Sequence, residues 1–525
     1  MNTGFIVLVP TIIVLATAVL ARKVLLSLFL GVVSACLIAT DFSVVSSTKL
    51  FFIRNYEVIA DYQNLLLVFF LIFLGILIEI LTHTGCMQLY SKALMKKLKT
   101  SMQAQMASLS HSFFFFIDDY FNALMIGSIM RPIMDHFKQP RAKLAHFINS
   151  VGASMAVMIP ASSWTGMIIA QLIAQGINSP SGSILPVDPF YAYLCMLPVF
   201  FFPIISIASA WYVVIRDISF GAMAKFEAIA EKTGNVFGGK EPIKHTKEVC
   251  IKEASMIDVA LPLATFIVVF LITLFASGNY WLLGGTKSLF EAFVSAKCTL
   301  SLCIASISSV TVATVLYLIS THGNIKKIAS LWWDGFWFMK TSLLLLVFAW
   351  TFSALLDQDV HTGAYVANNL LSSLNLTLLP GIVFLVSTLI SAGIGSSWGT
   401  IMLLTPLIVP VITHLLGQPP FAASALWNFV PSIAAVISGS VAGSQLSPIS
   451  DSTIISSLSS QCYHHDHFQT QVTYAIPVAT GSACAYILLG FIANLMPFYA
   501  AGALSLVIGL IVTFGIFEWR NQKRS

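Results

Sequence analysis

Charged residues are scarce in this chain, and their scarcity excludes most soluble folds. Asp, Glu, Lys and Arg make up 9% of the 525 residues, whereas hydrophobic residues make up 57%. A soluble globular domain carries about 25% charged residues. Apolar runs of about 20 residues, the length that crosses a bilayer as a helix, follow one another along the chain. The composition therefore predicts an all-α polytopic membrane protein surrounded by lipid.

Features that indicate other classes of protein are also missing. The eight cysteines include no C-x-x-C pair, which predicts free thiols. The net charge of +5 comes from loop lysines and arginines and therefore predicts no nucleic-acid partner. The first apolar run, from Phe5 to Leu20, has no basic residue before it and no small-residue cleavage site after it, so we interpret it as a retained span. We expect no cofactor.

Eleven crossings and two hairpins are predicted from the apolar runs. The crossings cover roughly residues 4–20, 24–41, 63–84, 143–176 (broken), 188–214, 255–276, 298–320, 335–357, 422–460 (broken), 469–490 and 495–517. Two further apolar stretches, 101–137 and 377–416, carry a kink at Ile117-Asp118-Asp119 and at Gly393 to Ser397. We expect both to be re-entrant hairpins, which enter and leave the membrane on one side.

Positive charges assign the two sides of the membrane. Lysines and arginines flank both ends of the first hairpin: Lys96, Lys97, Lys99, Lys138, Arg141 and Lys143. Neither Lys nor Arg occurs between Gln358 and Cys462, so the second hairpin should open to the outside. The same rule places the C-terminus in the cytoplasm, and we expect the membrane to be the bacterial inner membrane. Arg54, Lys287 and Lys297 are the exceptions.

Short matches between the two halves predict an internal repeat. His83-Thr84-Gly85 recurs as His361-Thr362-Gly363, an offset of 361 − 83 = 278 residues, and Pro160 to Thr165 matches Pro448 to Thr453. Each repeat then has five crossings and one hairpin, and an odd number of crossings inverts the second copy. The predicted domains are a first repeat (1–215), a cytoplasmic linker (216–254), a second inverted repeat (255–490) and an extra C-terminal helix with a basic tail (491–525).

The stretch from Gly439 to Thr453 is polar and glycine-rich although it lies between spanning runs. We expect an unwound break in a helix here, because irregular backbone persists in a membrane only where protein buries it or where it lines a cavity. Ser447-Pro448 predicts the N-cap and first residue of the following half-helix. Asp451 is a predicted site, since an ionised carboxylate is costly at that depth.

The candidate substrate-binding residues are polar side chains at the two hairpin tips and the two breaks. They are Asp118, Asp119, Asn122, Ser162, Ser163 and Thr165 in the first half, and Ser396, Ser397, Thr400, Ser444, Ser447, Ser450, Asp451 and Thr453 in the second. Adjacent Asp118 and Asp119 cannot point the same way, so one should face the cavity while the other accepts backbone or hydroxyl hydrogen bonds. For each serine and threonine, bonding to the carbonyl four residues earlier is an open alternative.

A buried carboxylate among hydroxyls accounts for cation/proton exchange. Burial favours its protonated form, whereas a bound cation favours its ionised form. Proton and cation then compete for one site, and alternating exposure converts competition into exchange. Asp451 and Asp118 are therefore the predicted ligands of a transported Na+.

Other titratable residues have simpler interpretations. Asp135, Glu79 and Asp357 lie near predicted helix ends, where solvated carboxylates are expected. His464, His465, Asp466 and His467 resemble a metal cluster, but we place them in a polar cytoplasmic loop. Zinc binding and a titrating gate are both open alternatives there.

At these residues the chain resembles the NhaC-type Na+/H+ antiporters. The matching stretches are Phe116 to Asn122, Gly127 to Pro132, Arg141 to Leu144, Ser162 to Trp164, Gly395 to Thr400, Ser447 to Asp451 and Cys462 to Tyr474. The resemblance implies a scaffold domain and a transport domain, an elevator-like motion and, commonly, a homodimer. It also implies an Asp at two positions where this chain has Ser444 and Asn149, which adds Asn149 to the candidate site.

The predicted function is antiport of Na+ against protons, without enzymatic activity. The alternative is ion-coupled exchange of a small carboxylate or an amino acid on the same fold, because a site with fewer carboxylates suits an anion held by half-helix N-termini. A membrane-embedded hydrolase requires facing catalytic groups that the inverted symmetry does not predict. A channel usually builds its filter from several subunits.

Overall fold

The computed structural model describes residues 5–21, 23–84, 86–178, 183–243, 255–294, 296–320, 325–360 and 375–522. Within these ranges the regular elements are helices. In chain order they are α1 Val9–Ala21, α2 Val24–Ala39, α3 Val44–Ala60, α4 Tyr62–Thr82, α5 Cys86–Met95, α6 Ser101–His111, α7 Asp119–His136, α8 Arg141–Met158, α9 Ser163–Ala174, α10 Pro189–Met196, α11 Phe201–Ile215, α12 Gly221–Thr233, α13 Ile257–Ser277, α14 Leu289–Val294, α15 Cys298–Ser320, α16 Ile325–Phe338, α17 Lys340–Ala354, α18 Leu379–Ile394, α19 Ser397–Leu416, α20 Leu426–Gln445, α21 Asp451–Ser460, α22 His464–Ile492 and α23 Phe498–Gln522.

The described part of the chain contains eight helices long and apolar enough to cross a membrane. Two further pairs, α8 with α9 and Pro189–Val199 with α11, bend by 51° and 46° and can each form one broken span. The all-α polytopic membrane fold is therefore confirmed. The bend of the first pair is the predicted break in 143–176, whereas the second was predicted as a straight crossing. The six cysteines whose thiols are described are free: Cys36, Cys195, Cys298, Cys303, Cys462 and Cys484.

The apolar runs did not predict α3 or the separate helix α16. Charged side chains interrupt the hydrophobic pattern of both, among them Arg54 in α3 and Asp334 in α16. Each ends one residue before the next helix, with Asp61 between α3 and α4 and Met339 between α16 and α17. The predicted crossing 335–357 covers the end of α16 and all of α17, which together form one candidate span, Ile325–Ala354.

The predicted repeat is visible in where helices begin. The starts of α4 and α17 differ by 340 − 62 = 278 residues, those of α6 and α18 by 379 − 101 = 278, and those of α7 and α19 by 397 − 119 = 278. The starts of α9 and α21 differ by 451 − 163 = 288. Both offsets are those of the sequence matches. The match at 361–363 lies outside the described residues, and the domain boundaries and the inversion of the second copy stay predictions.

The two ends of the first hairpin meet, although its re-entrant path in the membrane stays a prediction. The start of α6 and the end of α7 line one cavity of about 630 Å³, together with α12. Gln105 of α6 donates a hydrogen bond to Gln139 just after α7 (3.1 Å). In the second hairpin, α18 and α19 are joined at Gly395 and Ser396, where Gly395 has a φ of +78°. Because α19 is itself long enough to cross a membrane, the second re-entrant path stays a prediction.

The break predicted within Gly439 to Thr453 is present but shorter than predicted. Helix α20 continues to Gln445, and the break covers Leu446 to Ser450. Ser450 is the N-cap of α21, so Ser447 and Pro448 lie in the break instead of starting the half-helix. A Cβ on Gly439 would come within 2.6 Å of the Phe384 carbonyl oxygen in α18. This glycine therefore allows close helix packing, and it does not unwind the chain.

The four residues His464 to His467 do not form a loop, which corrects the sequence prediction. They are the first turn of α22, and both Asp466 and His467 are buried. Asp466 pairs with Lys240 (2.7 Å). Among the described residues no group of three or more His, Cys, Asp and Glu has the arrangement of a metal site.

The linker packs against the membrane domain through its described part, residues 216–243. Helix α12 carries Glu227, which accepts a hydrogen bond from the buried Lys143 of α8 (2.7 Å). The Tyr463 hydroxyl donates to the Glu241 carbonyl oxygen (3.0 Å). These contacts fix the segment to the beginnings of α8 and α22.

Asp135 is not a simple solvated carboxylate. It accepts two hydrogen bonds of 2.7 Å from Arg141, which is 4% exposed and also donates to the Ser460 carbonyl oxygen (2.9 Å). Glu79 lies 3.2 Å from His83. The side chain of Asp357 lies outside the described residues. Asp135 thus ties the end of α7 to the start of α8.

We predict that Gly439→Ala destabilises the protein by roughly 1–3 kcal/mol, because the added methyl group overpacks the contact between α18 and α20. Gly515→Ala in α23 is the matched control, since a Cβ there meets nothing within 4 Å. Thermal unfolding of both purified variants in detergent measures the difference. Equal midpoints for Gly439→Ala and wild type would contradict the packing role.

Candidate functional site

Four helix N-termini converge at the two breaks and the two hairpin tips. The N-caps of α7, α9, α19 and α21 are Asp118, Ser162, Ser396 and Ser450. Asp118 Oδ1 accepts from the Tyr120 amide (2.9 Å), Ser162 Oγ from the Thr165 amide (3.1 Å) and Ser396 Oγ from the Gly399 amide (3.2 Å). Asp and Ser are favoured at N-caps because their oxygens satisfy amides that have no partner inside the helix.

One backbone hydrogen bond joins the tip to the break in each repeat. The Ser163 amide donates to the Ile117 carbonyl oxygen (2.8 Å), and the Asp451 amide donates to the Gly395 carbonyl oxygen (3.2 Å). The two bonds are equivalent under the repeat, since 117 + 278 = 395 and 163 + 288 = 451. The two copies therefore present their helix starts in the same way.

These helix starts surround a cavity of about 300 Å³. Its wall combines carboxylates, hydroxyls and aromatic rings from both repeats and from the junction between α16 and α17. The lining residues are Asp118, Asp119, Tyr120, Trp164, Phe338, Met339, Thr341, Ser342, Leu345, Ser396, Ser397, Trp398, Ser444, Asp451 and Ser452.

Asp118 and Asp119 differ in how many hydrogen bonds their carboxylates accept. Asp118 is 4% exposed and accepts three hydrogen bonds, from the amides of Tyr120 and Phe121 and from the Ser163 hydroxyl (2.8 Å). Asp119 accepts one, from the Trp164 indole N–H (3.2 Å). Asp118 therefore holds the hairpin tip to the break, while Asp119 presents its carboxylate to the cavity.

Asp451 is the carboxylate of the second repeat in this cavity. It is the first residue of α21, and the Tyr120 hydroxyl interacts with its side chain across the repeat boundary. No Lys or Arg occurs among the residues that line the cavity. The ion pairs found in the described part of the chain all involve other carboxylates.

Ser444 belongs to a triangle of hydroxyls beside Asp451. Its Oγ lies 2.5 Å from Ser450 Oγ and 2.7 Å from Ser452 Oγ, which are 2.9 Å apart. Ser444 and Ser452 line the cavity, whereas Ser450 lies behind them and is buried. Hydroxyl oxygens thus stand where the resemblance implies a carboxylate.

Several predicted residues satisfy backbone groups and do not line the cavity. Ser162 and Thr165 donate to the carbonyl oxygens of Ala156 (2.5 Å) and Ile159 (2.8 Å), which the break leaves without helical partners. Thr400 bonds to the carbonyl oxygen four residues earlier, at Ser396 (2.8 Å). The open alternative, a bond to the carbonyl four residues earlier, is therefore correct for Thr400, whereas Ser162 and Thr165 bond to carbonyls six residues earlier.

Asn122, Asn149, Ser447 and Thr453 also lie outside the cavity wall. Asn122 donates to the carbonyl oxygens of Ser112 (2.9 Å) and Phe115 (3.2 Å) within the first hairpin. Ser447 Oγ accepts from the Ile449 amide (3.3 Å). Asn149 donates to Thr453 (3.2 Å) and lies 3.2 Å from His467 Nε2, so it joins α8 to α21 and α22.

The sequence analysis missed the aromatic part of the wall and the α16–α17 junction. Tyr120 and Trp398 occupy equivalent positions, since 398 − 120 = 278, and Trp164 is equivalent to Ser452, since 452 − 164 = 288. Each directly follows a predicted site residue, so the repeat offsets contained a usable signal. Phe338 to Leu345 carry no motif, and only the packing of the helices brings them to the cavity.

Broken helices that gather polar groups at a cavity inside a membrane are typical of secondary transporters. The sequence profile of the Na+/H+ antiporter family matches residues 155–491. The chain belongs to this family and is a multi-pass membrane transporter.

Known relatives extend over nearly the whole chain. An uncharacterized protein of Haemophilus influenzae is 29% identical over 512 residues, which are 95% of this chain and 94% of that protein. The Alcanivorax borkumensis YdaH transporter is 14% identical over 82% of this chain and 86% of its own, with a TM-score of 0.44. Neisseria gonorrhoeae MtrF, described within a class of antimetabolite efflux pumps, is 13% identical over 84% of this chain and 82% of its own, with a TM-score of 0.47.

We predict that Asp118→Ala destabilises the protein by about 1–2 kcal/mol, because α7 loses its cap and Ser163 loses its acceptor. Asp118→Asn should retain most of the stability, since Asn caps helices as well as Asp does. Thermal unfolding of the two variants tests this difference. A loss in Asp118→Asn as large as that in Asp118→Ala would show that the charge, and not the cap, is what the fold requires.

Proposed function

We propose that the protein exchanges Na+ for protons by alternating access, with Asp119 and Asp451 as the groups for which the two ions compete. The observation that carries this proposal is the shared cavity. Its carboxylates come from both repeats, and no basic side chain is among its lining residues.

The charge balance of the cavity favours one monovalent cation. Each helix N-terminus contributes roughly +0.5 charge, so the four converging ends contribute roughly +2. Three ionised carboxylates, Asp118, Asp119 and Asp451, contribute −3. The difference of about −1 is balanced by one proton or one Na+, which is the condition for competition at a single site.

Oxygen ligands for the cation are available around both carboxylates. Hard cations are bound by carboxylate, hydroxyl and carbonyl oxygens. Ser396, Ser397 and Ser444 provide hydroxyls on the same wall. Because Asp118 already accepts three hydrogen bonds, the proposal moves the first-half cation ligand from Asp118 to Asp119.

Alternating access is supported by the way the helices group. Helices α7, α8, α20 and α21 pack around the carboxylates, whereas α4, α13, α15 and α16 pack together as a second group. The α16–α17 junction supplies the wall opposite the helix starts. Sliding of the first group along the second would carry Asp119 and Asp451 from one membrane face to the other.

The cavity does not favour the carboxylate exchanger. An anionic solute would meet three carboxylates and no lysine or arginine among the lining residues. The N-terminal dipole of α7 already faces Asp118 and Asp119, and that of α21 already has Asp451 in its first turn.

The charge placement supports a bacterial inner-membrane location with a cytoplasmic C-terminus. Lys143 and Arg141 lie at the end of the bundle to which Lys240 of the linker is also bound. This clustering of basic residues at one end fits the cytoplasmic side. A homodimer stays a prediction from the resemblance.

We predict that Asp451→Asn and Asp119→Asn each abolish exchange, because an amide cannot alternate between binding a proton and binding a cation. Asp334→Asn is the matched control, since this carboxylate is exposed on α16, where it accepts a hydrogen bond from the Ser330 hydroxyl (3.1 Å), and it does not line the cavity. Purified protein in liposomes with an internal pH dye measures proton movement after Na+ is added. Wild-type rates in Asp451→Asn would refute the proposal.

Competition also predicts a pH dependence. Below the pH at which the cavity carboxylates titrate, the apparent KM for Na+ should rise about tenfold for each unit of pH decrease, while kcat at saturating Na+ stays constant. The reason is that one proton and one Na+ compete for the same site, so a tenfold higher proton concentration requires a tenfold higher Na+ concentration for half-saturation. Initial rates over a matrix of pH and Na+ concentrations measure this slope. A pH-independent KM would indicate separate sites.

A further inference from the structure

The aromatic rings of the cavity are unexplained by exchange of a bare ion. Trp164, Trp398, Tyr120 and Phe338 all line it. Trp164 and Trp398 pack edge to face with ring centroids 6.1 Å apart and an interplanar angle of 82°. Tyr120 and Phe338 do the same at 6.1 Å and 89°. Two perpendicular ring pairs thus stand beside the two carboxylates.

We propose that the cavity binds and exchanges small organic cations that carry an ammonium group. This inference rests on the proposed function, since it uses the same cavity and the same competition with protons at Asp119 and Asp451. It adds the substrate class. The organic cation would replace Na+ as the ion that balances the charge of the site.

The size of the cavity supports this class of ligand. Sites for small organic ligands begin at about 300 Å³, and this cavity has about 300 Å³. A bare cation instead draws its oxygen ligands to within about 2–2.6 Å and leaves no free space around it. The volume therefore accommodates an ammonium group together with a short carbon chain.

The chemistry of the wall matches such a cation on two sides. Aromatic faces attract ammonium groups, and Trp attracts them most strongly. Trp164 is held in place because its indole N–H donates to Asp119 and its side chain is buried. Trp398 is only partly buried and lines the cavity. A carboxylate can thus pair with the charge while the rings contact the alkyl groups.

Proton coupling is retained with such a substrate. Protonation of Asp119 or Asp451 removes the charge that attracts the ammonium group, so one bound cation leaves as one proton binds. No covalent step is involved. The exchange is therefore the one proposed for Na+, with a larger occupant of the same site.

Choline is the probe. The matched control ligand is its uncharged carbon isostere, 3,3-dimethyl-1-butanol (dimethylbutanol below). The protein is reconstituted in liposomes with an internal pH dye and is challenged with Na+, choline or dimethylbutanol. We expect choline to drive proton movement and to compete with Na+. We expect dimethylbutanol to compete at least tenfold more weakly, because it fills the same shape without charge.

Variants of single tryptophans separate the rings from the carboxylates. Trp398→Leu should lower the apparent affinity for choline about tenfold relative to that for Na+, which corresponds to about 1.4 kcal/mol of cation–π attraction. Trp398→Phe should restore part of this ratio because it restores an aromatic face. Trp333→Leu is the control, since this side chain is 60% exposed on α16 and is not among the cavity residues.

The outcomes distinguish this inference from the proposed function. Proton movement with Na+ but neither movement nor competition with choline would overturn the inference and leave Na+/H+ exchange in place. Movement with choline but not with Na+ would support the inference and overturn the proposed ion. Equal competition by choline and dimethylbutanol, or an unchanged affinity ratio in Trp398→Leu, would overturn the inference. Silence with both cations in a folded protein would overturn both.

Discussion

Two backbone hydrogen bonds determine where the chemistry of this protein lies. A helix interrupted inside a membrane leaves amides and carbonyls that lipid cannot satisfy, so each interruption needs a protein partner. Here the interruptions satisfy one another, through Ser163 with Ile117 and Asp451 with Gly395. Each bond fixes a helix start against a hairpin tip, and the N-cap side chains complete the arrangement. The positions of Asp119, Asp451 and the surrounding hydroxyls follow from this constraint.

Much of the fold could be predicted because membrane insertion constrains sequence directly. Apolar runs predicted most of the crossings, and polar residues within them predicted the hairpin tips and both breaks. Helix α3 and most of α16 were missed, because charged residues such as Arg54 and Asp334 interrupt their hydrophobic pattern. The second break was predicted too long because a glycine can either unwind a helix or let another helix approach closely. Only the structure shows that Gly439 faces the backbone of α18.

The candidate site was predictable to the extent that its residues are unusual in a membrane. Carboxylates and runs of serine are rare within membrane-spanning segments. This rarity identified Asp119, Asp451, Ser396, Ser397 and Ser444 as candidates. Trp164, Trp398 and Phe338 are residue types that commonly pack in the apolar interior of a membrane protein. Their position on the cavity wall therefore could not be predicted without the tertiary structure. The ion pair of Asp135 was missed for a different reason. Its partner Arg141 is near in sequence, but spacing does not reveal that Arg141 is buried and donates to the Ser460 carbonyl oxygen.

The two repeats have the same arrangement of helices but carry different side chains at equivalent positions. Asp119 at the first tip corresponds to Ser397 at the second, and Ser163 at the first break corresponds to Asp451 at the second. The repeat therefore relates a carboxylate to a hydroxyl at both places, and the two copies carry unequal numbers of carboxylates at the cavity. Under the proposed alternating access, the inward-facing and outward-facing states would consequently differ in free energy. Rectification, a built-in preference for one direction of exchange, can arise from this asymmetry without any regulatory domain.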